Sequence, residues 1–203
     1  MIFDPEIDAL FRHQAKAALR KRARAVRRSI PESARAARAE KLVERVIASA
    51  QFERAKAIGL FCPMIERGEV DVRPLDAAAR AGGKVVAYPF LKSDSEMTLL
   101  CAAAASLEER GYGFAEPPEG SPEVLVSDDL VIIVPALAVD PSGQRIGYGK
   151  GFYDRLLARM RTPAYALAVV YDFEVISEVP ATEFDHPVDM VVTDVRSFAA
   201  QKQ

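Results

Sequence analysis

Apolar residues recur near helical spacing from Ile7 through Leu10, Phe11, Ala18 and Leu19 to Val26, which predicts a helix over 6–28. Ser29-Ile-Pro-Glu32 reads as a capping box opening a second helix. The serine would accept from a free backbone N–H, Glu32 would reach back, and Pro31 is tolerated in a first turn. Leu42, Val43, Val46 and Ile47 share one face of that helix, which is predicted to end near Phe52. Short apolar runs at 57–63, 84–89, 97–102, 130–135, 164–171 and 190–193 read as strands. Helices are predicted over 71–81, stopped by Gly82-Gly83, and over 152–161. Gly111 to Glu123, with Pro117, Pro118, Gly120 and Pro122, reads as an irregular loop. Strands that alternate with helices, and are apolar throughout, imply an α/β fold with a mostly parallel sheet covered on both faces.

The length of 203 residues suits a single domain spanning 1–203. Half the residues are apolar and 28% are charged, an ordinary globular balance. A net charge of −2 argues against coating nucleic acid. The two cysteines, Cys62 and Cys101, have no metal spacing and read as reduced thiols of a cytoplasmic protein. The N-terminus is acidic where a secretory signal needs bases, and the best apolar run, Leu130 to Val139, is ten residues long. No export and no membrane association are expected. Charge is uneven: eight Lys or Arg and no acid from Ala9 to Pro31, seven acids and no Lys or Arg from Thr162 to Val195. Either the two segments meet, or they serve a phosphate and a metal respectively.

The best strand runs into Gly143-Gln-Arg-Ile-Gly-Tyr-Gly-Lys-Gly-Phe-Tyr-Asp154. Glycines at 143, 147, 149 and 151 let backbone N–H groups face one hollow with no Cβ in the way. The helix that follows adds its N-terminal dipole, and Arg145 and Lys150 add positive charge. The segment is not a Walker loop, because Gln144 and Gly151 occupy positions that motif reserves. Nor does its glycine spacing fit the dinucleotide fingerprint. The reading is a phosphate cradle, against the alternative of a plain flexible turn.

Other candidates stay open on residue type alone. Asp154 could hold magnesium or only compensate the helix dipole, and Asp189 could be its metal partner or an acidic loop residue. Arg12, Lys16, Arg20 and Arg24 form one basic stripe, either a solvated face or a lid gripping a triphosphate. Glu69 and Asp71 could recognise substrate N–H donors or cap a helix. Tyr153 could stack on a flat ring or belong to the core. His13 and His186 are too scattered for a triad or a zinc site.

The ordered set of motifs resembles the 5-formyltetrahydrofolate cyclo-ligase family, also called 5,10-methenyltetrahydrofolate synthetases. Lys16-Ala-Ala-Leu-Arg20 is similar to its Lys-x-x-Leu-Arg element, and Phe61 to Asp71, ending Gly-Glu-Val-Asp, to its first strand and acidic turn. Gly113-Phe-Ala-Glu-Pro117 resembles its Gly-Ile-x-Glu-Pro loop, and Val188-Asp-Met-Val-Val-Thr193 its closing strand. Pro135 to Asp154 resembles its most diagnostic block. There Ala136, Val139 and Phe152 replace the usual Gly, Phe and Tyr.

The resemblance implies a three-layer α/β/α, Rossmann-like and CoA-transferase-like fold with a helical N-terminus. It implies ATP as co-substrate, Mg2+, and 5-formyltetrahydrofolate, with or without a polyglutamate tail, in a monomer or weak dimer. Phosphorylation of the formyl oxygen and ring closure would give 5,10-methenyltetrahydrofolate, ADP and phosphate. Carried over by position, Lys16, Arg20, Arg145, Ile146, Gly147, Tyr148, Gly149, Lys150, Gly151, Phe152 and Tyr153 would bind the nucleotide. Met64, Glu69 and Tyr153 would line the folate site, and Asp154 and Asp189 would hold magnesium. Arg145, Lys150 and Tyr153 would act at the reacting centre. Two other classes compete: a different ATP-dependent kinase or ligase, and a non-catalytic module whose basic helix binds RNA or a protein.

Overall fold

Residues 5–111, 113–160 and 163–201 are described by the computed structural model of the chain. Met1 to Asp4 at the acidic N-terminus, Tyr112 in the loop, and Arg161 and Thr162 lie outside the described residues. Helix α1 is Pro5–Ser29, α2 Glu32–Ile47 and α3 Ala50–Arg54. Then come β1 Ala57–Gly59, α4 Arg73–Ala81, β2 Val85–Leu91 and β3 Met97–Cys101. A small ribbon pairs β4 Glu108–Glu109 with β5 Ala115–Glu116. β6 Leu130–Pro135 leads into a hairpin of β7 Ala138–Val139 and β8 Arg145–Ile146, and then α5 Phe152–Met160. The chain ends in β9 Tyr165–Val169, β10 Met190–Val192 and β11 Ser197–Ala199.

The main sheet has the order β11-β10-β9-β6-β1-β2-β3. Its inner strands are parallel, and the edge strands β3 and β11 run antiparallel. β6 sits in the middle because its β-branched run can be buried on both faces. Val131 and Ile133 point into the layer with α2, α3 and α4, while Leu130, Ile132 and Val134 face α5. All five are at most 3% exposed, and each such side chain contributes about 1.5–3 kcal/mol by leaving water. The result is the three-layer α/β arrangement expected.

β1 hands the chain to β2 on one side through α4. Its other neighbour, β6, hands it to β9 on the opposite side through α5, which lies on the other face of the sheet. The connections diverge between β1 and β6, and a crevice opens beyond their C-terminal ends.

Several local expectations are corrected. Ser29 is the last residue of α1 and donates to the Val26 carbonyl, so no capping box forms, and Pro31 takes the N-cap without a side-chain bond. The second predicted helix breaks at Ala48, and Ser49 restarts the chain as α3 by accepting from the Phe52 amide at 3.2 Å. Glycine- and proline-rich 111–123 still supplies β5, because Glu116 is buried and accepts from the Leu91 amide at 2.7 Å. Only Leu19 of the predicted apolar face of α1 packs inward. Ile7, Leu10 and Phe11 are exposed, while Leu19 and Ala23 pack on Leu137, Ala138 and Ile146. The hairpin of β7 and β8, invisible to periodicity because its strands are two residues each, is what turns the helix that way.

Candidate active site at the switch point

A cavity of about 710 Å³ occupies the crevice, within the usual range of about 300–1,000 Å³ for small-molecule sites. Phe61, Cys62 and Met64 reach it from the end of β1, Pro89 from β2 and Pro135 from β6. Lys16, Arg20 and Arg24 enter from α1, and Arg145 and Gly147 to Arg155 from the glycine loop and α5. The basic stripe is therefore no solvated face; three of its four members look into the cavity. The fourth, Arg12, bonds Asp8 at 2.7 Å and the Ala181 carbonyl at 2.6 Å.

The basic N-terminal arm and the acidic C-terminal segment meet. Lys16 pairs with Asp185, which also accepts from the Thr182 amide and hydroxyl. Burial works upward on Asp185, but these donors outweigh it and hold the carboxyl below its ordinary value. Arg27 pairs with Glu174 at 2.6 Å and donates to the Ala136 carbonyl at 2.7 Å, with both charged side chains 2% exposed. That pair fixes the far end of α1.

The loop splits into two parts with different jobs. Gly143 is not in the cradle. A Cβ there would stand 2.5 Å from the Val188 carbonyl, and its φ of +82° closes the turn between β7 and β8. Asp140 organises that turn, accepting from the Ser142 and Gln144 amides and, across the chain, from Val179. Gly147 to Gly151 form the cradle proper. Gly149 has φ +99°, and a Cβ would lie 3.3 Å from the Arg20 guanidinium. Arg20 in turn donates to the Gly147 carbonyl at 3.0 Å. Among the described residues, no carbonyl or side chain accepts from the amides of 147–151. Consecutive N–H groups at the start of a helix, without protein acceptors, are what an anion needs.

Arg145 lies under this cradle, its side chain 4% exposed. It donates to Asp154 Oδ1 at 2.9 Å and to the His186 carbonyl, and the His186 amide returns to Asp154 at 3.3 Å. Burial pulls the guanidinium below its ordinary value, partly offset by Asp154, and arginine stays charged nonetheless.

Beside the cradle stands Glu69, buried, with the Met64 amide donating to Oε2 at 2.8 Å. Burial pushes Glu69 above the ordinary carboxylate value, and the Met64 bond offsets only part of this. The Tyr148 hydroxyl stands beside it without reaching hydrogen-bond geometry. Burial first, and then the Glu69 charge, push the phenols of Tyr148 and Tyr153 upward, so both stay protonated donors.

A raised carboxyl keeps its proton in the folded state after the unfolded chain has lost it at about 4.5. Its contribution is fully present below that value and is lost as pH rises through the folded value. Glu69→Gln, which can still accept from Met64, is expected to flatten the decline in melting temperature between pH 4.5 and neutrality. It should also leave the protein at least as stable as the parent at pH 7. Thermal unfolding across pH checks this, and a slope as steep as the parent's would contradict it.

Met64, Glu69, Lys16, Arg20, Arg145, Lys150, Tyr153 and Asp154 all line one cavity, as do Gly147, Tyr148, Gly149, Gly151 and Phe152. Two expectations are corrected. Ile146, 1% exposed, points into the cluster beneath α1 because the register of β8 alternates it away from Arg145. Asp189 stands at the start of β10, where its carboxylate accepts from the Ala166 amide at 3.0 Å. In a parallel strand that is the end away from the cavity. Among the described residues no group of three or more His, Cys, Asp or Glu could hold a metal by itself. Asp185, Arg67, Phe114 and Phe184 also line the site and were missed, while Arg24 was legible only as a member of the basic stripe. Only the charge asymmetry of the two chain segments hinted at Asp185. Among the described residues no helix is long and apolar enough to cross a membrane.

Known proteins match this frame. A curated 5-formyltetrahydrofolate cyclo-ligase from Mycolicibacterium smegmatis is 34% identical over 181 residues, covering 86% of this chain and 91% of that protein. The Mus musculus enzyme of the same name is 29% identical, with 74% and 79% covered. The solved 5,10-methenyltetrahydrofolate synthetase of Aquifex aeolicus superposes with a TM-score of 0.78 at 31% identity, covering 93% of this chain and 94% of that one. The family model described as 5-formyltetrahydrofolate cyclo-ligase matches residues 12–194, and the chain belongs to that family.

Proposed function

We propose that the chain uses ATP to convert 5-formyltetrahydrofolate to 5,10-methenyltetrahydrofolate. The observation that carries this reading is the pairing, in one cavity, of an amide cradle flanked by cations with a wall bearing buried Glu69. Such a cavity can hold a phosphate chain at one side and a flat ring rich in N–H donors at the other.

In this reading the formyl oxygen attacks the γ-phosphorus and ADP leaves. The second folate nitrogen then attacks the activated carbon, and departure of phosphate completes the ring. Phosphorylation makes a poor leaving oxygen a good one, so positioning and charge neutralisation carry catalysis. The amides of 147–151, with Lys150, Arg20 and Lys16, bind the phosphates; Lys16 exchanges Asp185 for them. Arg145 fixes the cradle and its charge. Glu69 Oε1 accepts from the pterin, beside Met64, and the protonated Tyr153 phenol donates at the reacting centre. Asp154 fits magnesium as a single carboxylate, since this ion commonly takes one or two carboxylates plus phosphates and water. The ion would neutralise charge between the phosphates.

Purified protein with ATP, magnesium and 5-formyltetrahydrofolate is expected to produce the methenyl compound, followed by its absorbance. Lys150→Ala, at an exposed position, should raise the KM for ATP by roughly ten- to a hundredfold with the fold intact. Absence of product at high enzyme with ATP still bound would leave a different ATP-dependent kinase or ligase.

A further inference from the structure

Tyr148 belongs to the cradle by its backbone and to Glu69 by its side chain. It stands between Gly147 and Gly149, and its phenol lies beside the Glu69 carboxyl, short of hydrogen-bond geometry. The hydroxyl oxygen is buried and has no hydrogen-bond partner among the described residues. Glu69 has committed Oε2 to the Met64 amide at 2.8 Å. A buried hydroxyl without a partner is costly, so a small movement of the loop that joins it to the carboxylate is favoured.

The ring is braced on both sides of the site. The Arg24 Cζ lies 5.5 Å from its centroid and the Arg67 Cζ 5.9 Å, separations at which a guanidinium is attracted to an aromatic face. Arg24 comes from α1, one turn beyond Arg20, and Arg67 stands two residues before Glu69. The backbone around the ring has room to respond. A Cβ on Gly147 would meet nothing within 4 Å, and Gly149 holds a φ of +99° that other residues resist. The amides of 147–151 have no protein acceptors among the described residues. Ordering such a loop costs conformational entropy, and a first ligand that orders it lowers that cost for the second.

Resting on the folate reading, we propose that Tyr148 is a positioning residue that couples the two halves of the site, so that folate at Glu69 and phosphates at the cradle bind cooperatively. Pterin N–H groups on Glu69 Oε1 favour the ionised carboxylate, which draws in the Tyr148 hydroxyl as a donor. That bond fixes the backbone between Gly147 and Gly149 with its amides presented to phosphate. In the other direction, phosphates on the amides order the loop and hold the phenol against Glu69, which readies the carboxylate for the pterin. Such coupling is reciprocal by thermodynamic necessity.

Calorimetry tests this by measuring the affinity for 5-formyltetrahydrofolate with and without a saturating β,γ-imido analogue of ATP and magnesium, in wild type and in Tyr148→Phe. The ratio of the two affinities is the coupling factor. It is taken within one protein, so a general loss of affinity cancels. Tyr148→Phe keeps the ring between its two guanidiniums and removes only the hydroxyl. Wild type should show a factor of roughly ten- to a hundredfold, and the variant a factor lower by about fivefold or more. A smaller fall, or a wild-type factor near one, overturns the coupling. If Tyr148→Phe fails to fold, hydrogen exchange on the wild type decides. The folate compound alone, without nucleotide, should slow exchange of the 147–151 amides, and unchanged exchange overturns the proposal. A wild type that binds the ATP analogue but no folate under either condition brings down the folate reading itself, a result distinct from these.

Discussion

Arg145→Ala is expected to lower kcat by roughly a thousandfold, the largest single effect in the molecule. The side chain joins the cradle to the segment around His186 by donating to its carbonyl and to Asp154. Truncation removes a fixed charge beneath the loop where phosphoryl charge shifts, and leaves Asp154 without its cation. Removing one preorganised donor from a reacting centre commonly costs about a hundred- to a thousandfold, and here a full charge goes with it. Stability should fall too, by about 1–3 kcal/mol, because the His186 carbonyl loses its donor. Arg145→Lys keeps the charge but not the two-pronged geometry, so partial recovery of kcat is expected. Steady-state methenyl formation alongside circular dichroism measures both parts. Turnover of the alanine variant within tenfold of the parent, with the fold retained, would remove Arg145 from the mechanism.

The largest stability effect belongs to Arg27 and Glu174. Both charged groups are 2% exposed. Glu174 also accepts from the Tyr171 amide at 3.0 Å. Burial pushes the Glu174 carboxyl upward against the pull of Arg27, whereas the attraction of Glu174 holds the arginine above its ordinary value despite burial. A guanidinium with two close acceptors has no neutral form to retreat to, so Arg27 stays charged. Arg27→Met strands a buried carboxylate and should cost about 3–5 kcal/mol in urea unfolding. At about 2–4 °C per kcal/mol, the melting temperature should drop on the order of 10 °C. Arg27→Met with Glu174→Met should recover much of the loss, since a buried pair replaced by apolar groups is often neutral. A cost below about 1 kcal/mol for the single variant would mean the pair behaves like an exposed one. Because Arg27 anchors the helix that carries Lys16, Arg20 and Arg24, the single variant should also raise the KM for ATP.

These two arginines were unequally legible. Arg145 stood inside a glycine-rich segment between a strand and a helix, and local spacing was enough to mark it. Arg27 looked like one of eight basic residues in a polar run. Its partner is 147 residues away, and no local pattern connects them. The same holds for Lys16 and Asp185, 169 residues apart. The two carboxylates expected to hold magnesium show the converse. Asp154 and Asp189 both sit at the edge of a regular element. Only the direction of β10 reveals that one faces the cavity and the other the far end of the sheet.

The chain's pattern alone determined the alternation of the main strands and helices, the strength of Leu130–Pro135 as a strand and the family resemblance, and it suggested an anion-binding character for the segment after that strand. Those follow from short-range physics: apolar runs demand burial, glycines permit close approach, and a helix start attracts anions. Tertiary structure alone decided which face of α1 turns inward and that Gly143 builds a turn while Gly147 to Gly151 build the cradle. It also decided that Ile146 points away from the site and that Arg24 and Arg67 meet at Tyr148. Each of these depends on which distant surfaces come together when the sheet closes. That choice is made by packing the whole core at once, and periodicity along the chain does not encode it.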